Sequence, residues 1–198
     1  MPTAVLEQAG FSDAPRKRWT RAECAAVEAA GIWDQQHLEL VDGELISKMG
    51  KKRPHVNALS LVYAWLIGVF GPEYVNPEAP IDVAPGDNPV NEPEPDLIVL
   101  ARPLSEIQSG NPQPEDLRLV VEISDSTLGF DRRIKAPLYA RAAIPEYWVV
   151  DVSGRRIIVH RDPVEGVYQS IEAYSESEAV RPIAAPGHAF PVSSAFPG

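Results

Sequence analysis

The 198-residue chain has the composition of a globular protein, with 44% hydrophobic and 23% charged residues. This composition excludes the disordered, collagenous and coiled-coil classes, and the length fits one ordinary domain. The formal net charge of −10 argues against a general nucleic-acid coat, because the surface as a whole repels polyanions, and it leaves only locally basic patches as candidate contacts.

The first predicted element is a helix that begins after Thr20. Thr20 and Glu23 have the spacing of a capping box, in which each side chain bonds the backbone amide of the other residue. The helix is expected to continue to about Ala30 and to end near Gly31, since glycine readily closes a helix. Residues 1–18 carry little periodic pattern, so we expect a flexible N-terminal tail there.

A β-hairpin is predicted next, over residues 38–46. Its turn is Asp42-Gly43, a favoured two-residue turn because both residues tolerate positive φ. Pairing the two strands outward from that turn places Glu39 and Glu44 on the same face of the hairpin. The two glutamates are therefore candidates for one shared site.

Residues 55–70 predict a second helix, because apolar residues recur there at spacings of three and four. Pro54 stands where a helix can begin without losing a hydrogen bond. Few polar positions interrupt the pattern, so we expect this helix to be buried on most sides.

The remainder of the chain predicts a sheet and one more helix. The strand over residues 117–124 is the most apolar and is expected to be central. A helical segment is expected at about 132–142, where Pro137 is harmless if the helix starts near Ala136 and leaves Lys135 at its entrance. The other predicted strands cover 81–84, 96–100, 146–152, 155–160 and 167–174.

This order of elements predicts an α/β or α+β fold with a mixed central sheet flanked by helices. We expect a single domain over residues 19–185. Residues 186–198 have weak periodicity and are expected to form a C-terminal tail.

Cysteine content and hydropathy indicate the compartment. Cys24 is the only cysteine, which excludes an internal disulfide and suits a reducing environment. The longest apolar stretch, residues 58–70, is shorter than the about 20 residues of a membrane span, and residues 1–18 lack a signal core. We therefore expect a cytoplasmic protein with no membrane contact.

Carboxylates placed in apolar strands carry the main chemical signal. Asp96 opens an apolar strand and Glu122 interrupts another, which is unfavourable unless a cation, hydrogen bonds or water compensates. If the strands are neighbours, both acids could reach one divalent ion, and Mg²⁺ prefers oxygen ligands while leaving positions open for a phosphate. Lys135 could then orient the attacking water or offset charge on the phosphate.

The same residues also fit ordinary structural roles. Asp96 after Pro95 is common turn chemistry, Glu122 could pair with an arginine, and Lys135 could be solvated. Phosphate-loop, dinucleotide-binding, nucleophile-elbow and zinc-protease motifs are absent from the sequence. The widely spaced histidines and the single cysteine give no zinc-ligand spacing.

An ordered set of motifs from about Trp19 to Ala173 resembles the Uma-two family, a bacterial group of the PD-(D/E)XK restriction-endonuclease-like superfamily. Each motif alone is common, so the specificity lies in the order. The set comprises Glu39-Leu-Val-Asp-Gly-Glu44, Pro54-His55, Glu94-Pro-Asp96, Val121-Glu-Ile-Ser-Asp-Ser-Thr127, Asp131-Arg132, Lys135-Ala-Pro-Leu-Tyr-Ala-Arg141 and Ile144-Pro-Glu-Tyr-Trp148 with Val150-Asp151.

The resemblance implies a restriction-endonuclease-like core with a four-stranded mixed sheet, an N-terminal hairpin and a Mg²⁺-dependent nuclease centre, with Mn²⁺ as an alternative ion. Asp96 matches the aspartate of the superfamily's Pro-Asp, and Glu122 matches its second acid, so both would hold the metal. Ser124 stands where the superfamily pattern has lysine, and Lys135 matches the family's displaced lysine on the following helix.

Further site residues follow from the same resemblance. Glu39 and Glu44 match the hairpin acids, and either could supply another carboxylate. His55 matches the family's Pro-His, with helix capping or packing as an equal alternative. Among the basic clusters, residues 51–53 and Arg132 lie near the hairpin and the lysine in sequence and are candidate phosphate contacts.

Two functional hypotheses remain open. The first is a metal-dependent endonuclease that hydrolyses DNA through Asp96, Glu122, Lys135 and a hairpin glutamate. The second is a catalytically inactive module that keeps the fold for binding or dimerisation, motivated by the acidic charge and by Ser124. The resemblance and the exposed hairpin edges allow a homodimer. A two-carboxylate carbohydrate hydrolase finds no aromatic-lined cleft in the sequence pattern.

Overall fold

The computed structural model describes residues 16–33, 37–48 and 52–196. The helices are α1 (Arg21–Ala29), α2 (Arg53–Phe70), α3 (Leu128–Phe130) and α4 (Ala136–Arg141). The strands are β1 (Leu38–Val41), β2 (Glu44–Ser47), β3 (Val75–Pro77), β4 (Leu97–Leu100), β5 (Leu117–Ser124), β6 (Glu146–Asp151), β7 (Arg156–Val164), β8 (Val167–Ser175), β9 (Ala179–Val180) and β10 (Phe190–Pro191).

The main sheet has six strands in the order β3-β4-β5-β6-β7-β8. β5 and β6 are parallel, and every other neighbouring pair is antiparallel. The predicted mixed sheet is confirmed, and β5 is central as expected. The described sheet has two strands more than the four that the resemblance implies.

Alternation along the central strands divides the core into two layers. Val121 packs in the layer that contains residues of α2 such as Val62, while Val120 packs in the layer that contains residues of α4 such as Leu138. Successive side chains of a strand point to opposite faces, so a buried strand packs against a helix on each side. The predicted arrangement of a sheet flanked by helices is thus confirmed.

The N-terminal elements follow their local sequence signals. Both bonds of the Thr20–Glu23 capping box are present at the start of α1. The β1-β2 hairpin turns at Asp42 and Gly43, which adopt φ of 50° and 74°, and Glu39 pairs with Ile46 as expected. These features are set by neighbouring residues, which explains why they are readable from the sequence.

Helix α2 has the predicted extent, but the expectation that most of its sides are buried was wrong. Its fully buried stripe is formed by His55, Ala58, Val62 and Leu66. Leu61, which lies beside this stripe, is 40% exposed. The helix packs its buried stripe against one face of the sheet, and the other faces remain partly open to solvent among the described residues.

Two expectations for strands and helices need correction. Residues 81–84 do not form a strand: Ile81 and Val83 are buried, but the Ile81 amide bonds the Pro93 carbonyl in a loop. Helix α4 begins at Ala136 as expected, but it is not the start of the helical run, which begins at α3 and continues through a π-helical turn over Asp131–Lys135 into α4.

The π-helical turn has a local cause. Pro137 lacks the N–H that would bond the Arg133 carbonyl, and its ring would crowd that carbonyl in a regular α-helix. A wider turn directly before Pro137 relieves this conflict. Lys135 consequently lies inside a helical run and is buried, whereas the sequence had placed it at a helix entrance.

The C-terminal segment also departs from the expected loose tail. β10 pairs with β9, and Phe190, Val192 and Ala195 are buried in the core layer on the α2 side. The apolar residues of this segment pack in the core although their spacing shows neither helix nor strand periodicity. None of the helices in the described ranges is long and apolar enough to cross a membrane.

Candidate active site

Strands β4 and β5 bring two buried carboxylates side by side. Leu97 pairs with Val121 in antiparallel register, so Asp96 before it and Glu122 after it lie opposite each other. Both side chains line one cavity of about 180 Å³. Asp96 Oδ2 also accepts a hydrogen bond of 2.8 Å from the Ile123 amide, which ties the carboxylate to β5.

The Lys135 ammonium lies between two carboxylates of this cavity. Its Nζ is 2.8 Å from Glu122 Oε1 and 2.9 Å from Glu39 Oε2, and its side chain is 3% exposed. A buried charge is tolerated when it is paired in this way. The structure therefore brings the π-helical turn, β5 and the hairpin together at one ammonium group, whose catalytic role remains a prediction.

Helical periodicity aligns three polar residues toward the end of β5. Asp131, Lys135 and Tyr139 are spaced by four and lie on one side of the helical run. The Tyr139 hydroxyl donates to Glu122 Oε1 at 3.1 Å, and Asp131 Oδ2 accepts from the Thr127 hydroxyl at 2.6 Å. Neither Tyr139 nor Asp131 was predicted from the sequence as a site residue, although their four-residue spacing to Lys135 is visible there.

The hairpin supplies Glu39 and not Glu44. Glu39 is buried, and its Oε2 accepts the Glu94 amide at 3.1 Å in addition to contacting the lysine. The Glu44 side chain is 59% exposed and lies 3.5 Å from Arg16. Both glutamates share a hairpin face as predicted, but only the Glu39 end of the hairpin lines the cavity.

The remaining predicted residues divide between the cavity and the surface. His55 lines the cavity, with Nε2 at an ion-pair distance of 3.5 Å from Asp96 Oδ1 but without a hydrogen bond. Arg132 is exposed and does not line it. Lys52, from the predicted basic cluster, and Lys48, which sequence reasoning did not single out, line the cavity. Lys51 lies outside the described residues.

The two strand carboxylates have opposite electrostatic environments. Burial raises the pKa of Asp96, but the His55 imidazole, the Lys48 charge and the Ile123 amide together hold the pKa below its ordinary value. Burial raises the pKa of Glu122 to about 8, because Lys135 compensates only part of the desolvation. Strongly different pKa values in a pair of acids are common at catalytic sites.

Carboxyl groups outnumber ammonium groups among the buried residues of the cavity. Burial alone would lower the pKa of Lys135, but Glu122, Glu39 and Asp131 raise it well above its ordinary value, so the ammonium stays charged. Nearby Asp96 and Asp131 add to the burial effect on the pKa of Glu122. A single ammonium stands among four carboxyl groups, and a cation bound there would replace the proton that a pKa of about 8 leaves on Glu122 near neutral pH.

The donor set fits a magnesium-type ion. Asp96 and Glu122 offer hard oxygen ligands, and Mg²⁺ is commonly held by one or two carboxylates, with water and substrate phosphate completing its shell. Within the described ranges, no group of three or more His, Cys, Asp or Glu side chains could hold a metal alone. The arrangement therefore fits a two-carboxylate site that needs water and substrate oxygens for completion.

Comparison with known proteins supports this picture at the level of fold and family. A solved structure described as a "putative nuclease belonging to DUF820" from Anabaena variabilis is similar to the chain, with a TM-score of 0.62 and 18% sequence identity. The match covers 82% of this chain and 90% of that one. A search of curated proteins gave no match. The Uma2 family model, described as "Putative restriction endonuclease", matches residues 27–193, and the chain belongs to this family.

Proposed function

We propose that the protein is a metal-dependent endonuclease that hydrolyses phosphodiester bonds of DNA. The observation that carries this proposal is the cavity in which Asp96 and Glu122 lie opposite each other beside the buried Lys135 ammonium. Family membership supports a nuclease, and the donor set supports Mg²⁺ or Mn²⁺ as the ion.

In this proposal the residues of the cavity have different roles. Asp96 and Glu122 hold the ion, which when bound stabilises negative charge on the phosphate and lowers the pKa of water. Lys135 donates hydrogen bonds from a position next to Glu122, where it offsets charge on the scissile phosphate. Glu39 holds Lys135 in place and links it to the Glu94 amide.

Substrate contact is local because the chain is acidic as a whole. Lys48 and Lys52 line the same cavity as the carboxylates and can neutralise phosphates next to the scissile one. The Lys48 ammonium also donates to the Glu94 carbonyl, and this bond orients the lysine side chain. The net charge of −10 over the whole chain opposes binding, and these two lysines neutralise only about two phosphates, so DNA affinity should fall only modestly with salt.

A second candidate is a nuclease fold that binds without cleaving. The observation in its favour is that Lys135 contacts both Glu39 and Glu122, an arrangement that a purely structural ion network would also show. Ser124, at the position where the superfamily pattern has lysine, also favours this second candidate. Metal binding separates the candidates, because a structural network has no need of a divalent ion.

The cleavage assay uses supercoiled plasmid with Mg²⁺ or Mn²⁺. We expect the wild-type protein to nick or linearise the plasmid and expect Asp96→Asn and Glu122→Gln to slow cleavage by about 100-fold or more, since both remove a charged metal ligand. Asp116→Asn is the matched control, because Asp116 is a buried carboxylate paired with Arg102 away from the cavity. Wild-type rates in both site variants would refute the assignment.

A further inference from the structure

We propose that Tyr139 is a positioning residue that sets the orientation of the Glu122 carboxylate toward the cation. This inference rests on the proposed function, because it concerns the same site. It assigns a role to a tyrosine that is buried in the core, and it predicts an effect on metal affinity.

Two donors share one oxygen of Glu122. The Tyr139 hydroxyl donates to Oε1 at 3.1 Å, and the Lys135 ammonium donates to the same atom at 2.8 Å. No described residue donates to Oε2. Because both bonds converge on Oε1, they fix the rotation of the carboxylate and leave Oε2 available to the cation.

The tyrosine hydroxyl is itself held rigidly. Tyr139 is 0% exposed, and its ring packs edge-on against Tyr147 with a centroid distance of 5.0 Å. The Tyr147 hydroxyl in turn bonds the Asp131 carbonyl at 3.3 Å, across the π-helical turn. Tyr139 follows Lys135 by one helical turn, so a single helical run places both donors.

Packing alone does not account for the hydroxyl. The Tyr139 ring belongs to an apolar layer formed by residues such as Val120, Leu138 and Val149. A phenyl ring would fill the same space, whereas a buried hydroxyl is unfavourable unless it is hydrogen-bonded. Its bonding partner is a carboxylate of the candidate metal site, and groups that orient metal ligands commonly change affinity when they are removed.

The test compares Tyr139→Phe with Tyr168→Phe. Tyr168 is also buried, and its hydroxyl donates to the Ile144 carbonyl at 2.9 Å, so its phenylalanine variant loses an equivalent bond away from the site. Calorimetric titration with Mn²⁺ should show about 10-fold weaker binding for Tyr139→Phe and unchanged binding for Tyr168→Phe. In urea unfolding with EDTA present, both substitutions should lower the unfolding midpoint relative to the wild type by a similar amount.

A second measurement does not depend on the folding of Tyr139→Phe. Adding Mg²⁺ to the wild-type protein should shift its near-ultraviolet tyrosine absorption. The reason is that the Glu122 carboxylate, which accepts the hydrogen bond of the Tyr139 hydroxyl, would then also bind the ion. Tyr168→Phe should retain this shift.

The outcomes distinguish the two proposals. Equal Mn²⁺ affinity in Tyr139→Phe and wild type, or Mg²⁺ binding to wild type without a tyrosine shift, would overturn the positioning role and leave the nuclease function intact. A wild-type protein that binds neither ion and cleaves no DNA would overturn the proposed function, and the positioning role with it.

Discussion

At the scale of single residues, the site depends on one buried ammonium. Lys135 contacts Glu39 and Glu122 and is surrounded by enough negative charge to keep its pKa well above the ordinary value. It therefore remains a hydrogen-bond donor throughout the pH range in which the protein would act. This charge is suited to stabilising a phosphate, and it disfavours a role as a base that removes a proton from water.

Replacing Lys135 by methionine tests this role. We expect Lys135→Met to slow DNA cleavage by about 100-fold, because the ammonium that offsets charge on the scissile phosphate is lost. Lys52→Met is the matched control at an exposed lysine of the same cavity and should change DNA affinity more than the cleavage step. Unchanged single-turnover cleavage by Lys135→Met would contradict the assigned role, provided circular dichroism shows a folded protein.

At the scale of elements, the hairpin acts as one wall of the cavity. Its turn and register follow from Asp42-Gly43, and that register puts Glu39 over the site while Glu44 extends into solvent. The two glutamates on one hairpin face thus have unequal roles, because Glu39 is buried against the cavity and the Glu44 side chain, next to the turn, is exposed.

The two hairpin glutamates form a natural matched pair. Glu39→Gln should slow cleavage by about 10-fold, because it weakens the support of the lysine and of the Glu94 amide. Glu44→Gln should change the rate by no more than about 2-fold, since exposed ion pairs contribute little. Rate measurements that reverse this order would show that the hairpin is not a wall of the functional site.

Local signals in the sequence predicted several elements well. The Thr20–Glu23 box and the Asp42-Gly43 turn are decided by adjacent residues, and both are present in the structure. The alternation at residues 81–84 was misread as a strand, because alternation reports burial and does not reveal which backbone group accepts each hydrogen bond. Hydropathy likewise identified α2 but could not show how much of its surface would be covered.

The candidate site was predictable only in part. Asp96 and Glu122 stood out because acids are rare in apolar strands, and the structure places them opposite each other. Their neighbours were less visible, because Tyr139 reaches Glu122 through sheet register and helix packing between distant segments. The burial of Lys135 depends on the π-helical turn before Pro137, which propensity arguments do not anticipate.

At the scale of the whole molecule, the fold brings three lysines and the paired carboxylates into one cavity. The net charge is −10, yet Lys48, Lys52 and Lys135 line the cavity that holds the paired carboxylates. A polyanion is therefore repelled by the chain as a whole, and the proposed cation and these lysines would attract it locally. The mixed sheet and its flanking helices place these groups at a fixed separation.

The central claim is that Asp96 and Glu122 together hold one divalent ion. The most direct measurement is calorimetric titration of the full chain with Mn²⁺, with Asp116→Asn as the control for a buried carboxylate outside the cavity. The account predicts one ion per wild-type or control chain and no detectable binding at millimolar metal for Asp96→Asn or Glu122→Gln. Equal binding by all four proteins, or no binding by the folded wild type, would contradict it.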